Sequence, residues 1–188
     1  MTMINRPHHT LRPTVTASAP DHTNAITFGW RVHQAQEAWT AKVDVKASIV
    51  LALDGAVLVS IIAGHNKDGV LTELTGWRSL IEVLAAISIL VALVLAGLVV
   101  RPALGPSRQH RAQHSTHIIY FGHLRHWDPP QLATRLRSLT PDEETDQLAQ
   151  QVVSMSQRNW WKHRLLQWAL YTTALAALLL AVATLWPR

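Results

Sequence analysis

The sequence predicts an all-α membrane protein: three transmembrane helices and a small cytoplasmic region, with the N-terminus inside and the C-terminus outside. Three observations carry this. Of 188 residues, 48% are hydrophobic and only 15% charged, and the apolar residues arrive in three blocks rather than at a regular period. Residues 80–100 form a run of 21 with Glu82 as its only charge, and 165–186 a run of 22 with none. A helix rising ~1.5 Å per residue crosses ~30 Å of hydrocarbon in ~20 residues. Basic residues also favour one side. Nine Lys/Arg lie from Arg101 to Arg164 and four (Arg6, Arg12, Arg31, Lys42) precede Asp44, whereas the 64–79 connection has two, balanced by two acids. The positive-inside rule places the basic stretches in the cytoplasm.

Residues 1–28 hold Pro, Thr, His and Ser without an apolar h-region, so they read as a disordered cytoplasmic tail and not as a signal peptide. Residues 29–64 read as a cytoplasmic helix continuous with the first transmembrane helix. Val32, Ala35, Trp39 and Val43 make one stripe of it, and no Pro or Gly intervenes before the span. The apolar part, 47–63, is only 17 residues long and holds Asp54 near its centre. A carboxylate there costs about 2.5–3.5 kcal/mol on insertion, which the neighbouring Leu, Ile and Val offset. Asp54 therefore requires a polar interior. Either a homo-oligomer turns it inward, or it is hydrogen-bonded within one three-helix subunit. Asp44 and Lys46 sit ~200° apart on the helix and cannot pair with each other. Each needs a partner on another element or subunit, unless it reaches the interface by snorkelling.

Gly64 to Gly69 is a turn signal closing an antiparallel hairpin. Trp77 and Arg78 then mark the outer interface, and Glu82 one turn further in is expected to reach headgroups. The second transmembrane helix, 80–100, stops at Arg101-Pro102. Residues 101–164 form a cytoplasmic sensing and coupling region, and 165–186 the third transmembrane helix. Within the cytoplasmic region His110, His114 and His117 are spaced four and three apart, near one face if helical. That geometry can hold zinc, but no acid lies nearby to support it, and basic, His-rich juxtamembrane segments contact anionic headgroups. Ile118 to His123 reads as a short buried strand-like segment whose Gly122 permits a close approach. Asp128-Pro129-Pro130 starts a short helix with Leu132, Leu136 and Leu139 as its buried stripe and Arg135 beside it. Thr140-Pro141-Asp142-Glu143 is a capping box. From Pro141 no further Pro or Gly occurs before Pro187, so one helix runs from the cytoplasm through the last span, with Leu148, Val152, Met155, Asn159 and His163 as its inner stripe.

The chain has no cysteine, which excludes disulfides, thiolate metal sites and a Cys nucleophile. No phosphate-binding glycine loop, nucleophile elbow, HExxH or paired catalytic carboxylates are present, so no enzyme, cofactor or metal site is read from the sequence. The net charge of +5 is topological and does not indicate a nucleic-acid partner. Two readings of the residues stay open: an ion- or metal-handling membrane protein using Asp54 and the histidines, and a passive anchor or scaffold.

Several motifs together resemble a known family. They are Asp44-x-Lys46-Ala47-Ser48 leading into Leu51 to Ala56, then Ile119-Tyr120-Phe121-Gly122-His123, the Thr-Pro-acid helix start and the long last helix. Across about residues 36–185 the chain resembles the small transmembrane effectors of Pycsar antiphage defence, the PycTM type. The resemblance implies an effector in the inner membrane that senses cyclic CMP or cyclic UMP made by a partner pyrimidine nucleotide cyclase, then impairs the lipid bilayer. No β-roll cyclic-nucleotide domain is recognisable in the chain; the cyclic nucleotide that the resemblance implies would need a cation for its phosphate and rings for its base, which Arg135, Arg111 and Arg125, with Tyr120, Phe121, His123 and Trp127, could supply.

Overall fold

The computed structural model describes residues 21–65, 71, 75–102, 104 and 107–185. Its elements are α1 (His22–Gly64), α2 (Trp77–Val100), α3 (Ser107–Ala112), a 3-10 turn (His114–Thr116), α4 (Phe121–Leu124), α5 (Pro129–Arg137) and α6 (Pro141–Leu185). Three helices, α1, α2 and α6, are long and apolar enough to cross a membrane.

Their buried residues explain how they pack. In α2 these are Glu82, Ala85, Ile89, Ala92, Ala96 and Val99, alternately three and four apart. Val43, Ala47, Val50, Asp54 and Ile61 of α1 keep the same heptad rhythm, as do Asn159, Leu166, Ala169, Ala176 and Ala183 of α6. Seams repeating every 3.5 residues wind helices into a left-handed coil. The fully buried alanines (Ala47, Ala85, Ala92, Ala96, Ala169, Ala176, Ala183) let the backbones approach closely, the usual way helices associate in lipid. The outer surface carries Ile49, Leu53 and Val59, then Leu80, Val83 and Ile87, then Leu170, Leu175 and Leu178, all exposed. Helices apolar on both faces suit a hydrocarbon solvent.

Side-chain bonds fix the directions. Gln36 meets Asn159, Asp44 meets Lys162 and Asp54 meets Thr173, so α1 and α6 run parallel. At the start of α2, Arg78 Nε donates to the Ala183 carbonyl near the end of α6 (2.8 Å), making α2 antiparallel and capping free carbonyls of α6.

Several expectations are corrected. Residues 22–28, read as tail, are the first turns of α1, capped by Asp21, whose Oδ1 accepts from the Asn24 N–H at 3.1 Å. In this part of α1 the polar His33 and Gln36 are buried and Trp39 is exposed; Gln36 is bonded by Asn159 of α6, and His33 lies 3.8 Å from Glu37 of its own helix. Glu82 is 3% exposed, turned into the bundle, with His65 Nε2 at 3.4 Å from its Oε1. Phe121–Leu124 is a helical turn, and only the approach through Tyr120 is extended. No residue of α5 is buried, and Leu136 is exposed. The rest of the predicted turn, 66–69, lies outside the described residues.

Candidate functional site

The seam between α1 and α6 is polar where it leaves the apolar block. Asn159, buried, donates through Nδ2 to Gln36 Oε1 (2.7 Å) and to the Gln36 carbonyl (3.0 Å), while Thr40 Oγ1 donates to Asn159 Oδ1 (2.5 Å). Next along the seam Lys162 Nζ donates to Asp44 Oδ1 at 2.6 Å. Asp44 thus finds its partner within the chain, whereas Lys46 is exposed with no ion-pair partner among the described residues. Deeper, Asp54 is completely buried and its Oδ2 accepts from Thr173 Oγ1 at 2.9 Å. One subunit thus encloses this carboxylate and gives Oδ2 a partner, while Oδ1 is buried without one among the described residues.

At the far end of α6 the capping box forms as its sequence dictates. The Thr140 N–H donates to Glu143 Oε2 (3.0 Å) and the Glu143 N–H donates to Thr140 Oγ1 (3.3 Å). Arg135 closes on the same carboxylate with two nitrogens, at 2.9 and 3.2 Å, tying α5 to α6. This guanidinium, aided by Thr140, holds the Glu143 carboxyl down to about 2. Trp30 Nε1 donates to Glu144 Oε1 (3.3 Å), and Gly29 lets Leu148 lie where a Cβ would be, so the first turns of α1 dock here too.

The connector from α3 to α5 folds against α6 and encloses a polar cavity of about 250 Å³. Gln147 pins the connector. Its Oε1 accepts from the Ile118 N–H (3.1 Å) and its Nε2 donates to the Thr116 carbonyl. Rings line one wall. His123 lies 4.7 Å from His110 and 4.6 Å from His117 between centroids, and Tyr120 lies 5.4 Å from His110. Gly122 makes this possible, because a Cβ there would collide with the Tyr120 ring. Burial, and behind it the nearby His117, His110, His126 and Arg158, pushes the His123 imidazole down to about 4. The ring is therefore neutral at physiological pH.

The opposite wall is α6, with Gln147, Gln150, Gln151, Ser154 and Arg158. The Arg158 guanidinium lies 5.0 Å from the centroid of the Tyr120 ring, a cation–π contact. No carboxylate lines this cavity, and none pairs with Arg158 among the described residues. A second cavity, of about 440 Å³, lies toward α1, bordered by Thr40, Phe121 and Lys162, and shares Tyr120, Gln151 and Arg158 with the first. An acid-free cavity with one free guanidinium, stacked rings and several amides suits a small anionic ligand with a planar part.

The residues expected to bind a ligand are thus divided. Tyr120 and His123 line the first cavity and Phe121 the second. Arg135 is engaged by Glu143 and shares only a shallow depression with Trp127. Arg125 donates to Ser107 Oγ (2.6 Å), and Arg111 is exposed outside both cavities. His110, His114 and His117 do not share a helical face, since α3 ends at Ala112 and a 3-10 turn follows. Among the described residues no three His, Asp or Glu side chains converge as metal ligands. Sequence reasoning missed Arg158. The available signal was the polar stripe Gln147, Gln151, Ser154, Arg158, one face of a helix that elsewhere shows its apolar stripe.

No curated protein and no solved structure matches the chain. The family model described as the Pycsar effector protein domain, PycTM, matches residues 28–187, which takes in α2, α6, all of α1 but its first six residues, the connector and the Arg158 cavities. This chain, with its membrane-length bundle and its α6 carrying one cavity wall, belongs to the Pycsar effector family.

Proposed function

We propose that the chain is a membrane effector of antiviral defence that responds to a cyclic pyrimidine mononucleotide, cyclic CMP or cyclic UMP, and impairs the inner membrane of an infected cell. Family membership supports the class of protein and implies a cyclic-nucleotide signal from a partner cyclase. The observation that carries the site is Arg158, ion-paired with no carboxylate among the described residues, over the Tyr120 ring at the wall shared by an acid-free cavity and a second one that Glu37 also lines. In this reading the guanidinium takes the cyclic phosphate, Tyr120, His123 and Phe121 offer ring faces to the base, and the glutamine amides of α6 bond its edge. A neutral His123 can accept or donate there without repelling Arg158.

Signal transfer follows from α6, a single helix of 45 residues that begins beside the cavity and ends in the last apolar block. Movement of its first half is carried into the bundle, where the polar seam with α1 offers bonds to break and remake. The N-terminus and the 101–164 region lie on the cytoplasmic side in this proposal.

Calorimetric titration of the purified full chain in detergent with the four common cyclic mononucleotides tests the reading. Cyclic CMP or cyclic UMP should bind, and Arg158→Ala should weaken binding by about tenfold to a hundredfold, the loss of one charged hydrogen bond worth about 1.5–3 kcal/mol. Arg111→Ala should leave it unchanged. Absence of binding by both cyclic pyrimidines, or an Arg158→Ala protein that binds as wild type does, overturns the proposal. In cells, raising the bound nucleotide should depolarise the membrane.

A further inference from the structure

A third cavity, of about 440 Å³, lies where α2 ends against the middle of α6, lined by Leu98, Arg101, Pro102, Arg158, Trp161 and Lys162 among others. We propose that it binds the phosphate headgroup of an anionic phospholipid from the leaflet on the side of the 101–164 region.

Charge is the first argument. Three cations from two helices meet around one cavity, and Asp44, bonded to Lys162, is the one carboxylate paired with any of them among the described residues. Arg101 and Arg158 are both exposed and neither is ion-paired among the described residues; Arg158, which also faces Tyr120, is shared with the proposed nucleotide cavities, whereas Arg101 serves this cavity and neither of those. Position is the second. Leu98 belongs to the apolar block of α2, Arg101 is the capping residue just past Val100, and Trp161 is exposed at the same level of α6. That order, aliphatic, then aromatic and cationic, follows a lipid from acyl chain to headgroup. Leu98, Val94 and Val91 follow one another four and three apart on one face of α2, and Val91 and Val94 are exposed, which offers an acyl chain an apolar stripe leading from the cavity. Soluble phosphate would use the cations and leave Leu98 and Trp161 without a role.

The test is native mass spectrometry of the full-length protein, delipidated in detergent and titrated with phosphatidylglycerol, phosphatidylcholine or inorganic phosphate. Phosphatidylglycerol should bind at least fivefold more tightly than phosphatidylcholine. Each of Arg101→Gln and Arg158→Gln should weaken it about fivefold, and the double variant about 25-fold, at the usual strength of one arginine near an anionic surface. Arg137→Gln, on exposed α5, should change nothing, and Arg101→Lys should retain most of the affinity. Equal retention of the two lipids, wild-type affinity in the double variant, or full displacement of the lipid by inorganic phosphate overturns the proposal. Arg101 lines neither nucleotide cavity, so its variant tests the lipid site without disturbing the proposed nucleotide site.

Discussion

Replacing Asn159 by leucine puts an apolar side chain into a seam position where the wild-type amide makes three bonds across to α1. Thr40 Oγ1 keeps a second acceptor, the Gln36 carbonyl at 2.9 Å, so that carbonyl and the hydroxyl remain paired. The Gln36 Oε1 loses its bond from Asn159 in a side chain that is 7% exposed. Leaving a buried acceptor unsatisfied costs about 1–3 kcal/mol. Asn159→Leu should therefore destabilise the protein by about 2 kcal/mol, or about 4–8 °C in thermal midpoint for a chain of this size. Adding Gln36→Leu removes the orphan and leaves two leucines facing each other at heptad positions, so the double variant should return to within about 1 kcal/mol of wild type. Circular dichroism melts of the four proteins in one detergent give the cycle. A double variant less stable than Asn159→Leu, or a single variant that melts with wild type, refutes the account of this seam. If the polar seam also fixes the register of α1 on α6, the double variant should respond less to ligand while melting normally.

Further predictions follow from the same contacts. Asp54→Leu should fold and melt at or above the wild-type midpoint, because Thr173 Oγ1 keeps the Ala169 carbonyl at 3.0 Å and a buried carboxylate is gone; a large fall in midpoint would refute this. Between pH 6.5 and about 4 the unfolded chain binds a proton at His123 that the folded chain refuses, so stability falls with pH across that window. The loss is about 3 kcal/mol for this group and should be absent in His123→Gln, as urea titrations at the two ends of the window would reveal. The Glu143 carboxyl is held low, so its contribution is present above about pH 4.5 and disappears as pH falls toward 2. Arg135→Ala should raise hydrogen exchange over 129–137 while leaving the spans protected; unchanged exchange in α5 would mean the Arg135–Glu143 clamp does not hold it.

The sequence by itself determined the three apolar helices, the start of α6 and the family resemblance. Each rests on local chemistry. A run of apolar residues is long enough or it is not, and Thr140 to Glu143 satisfy one another within a single turn. Tertiary structure decided what depends on a partner far along the chain. Trp39 looked like core and is exposed, while His33 and Gln36 looked solvated and are buried, because only packing against α6 shows which face of α1 meets polar groups. Asp44 and Asp54 advertised a need for partners in sequence, but Lys162 and Thr173 could be identified only once parallel packing set the register. Arg135 was the best candidate cation by position on its helix and is consumed by Glu143 eight residues on. Arg158 lies on a polar stripe of α6 that by itself names no ligand, and becomes the candidate ligand group because the connector folds Tyr120 beside it and brings no acid into the cavity.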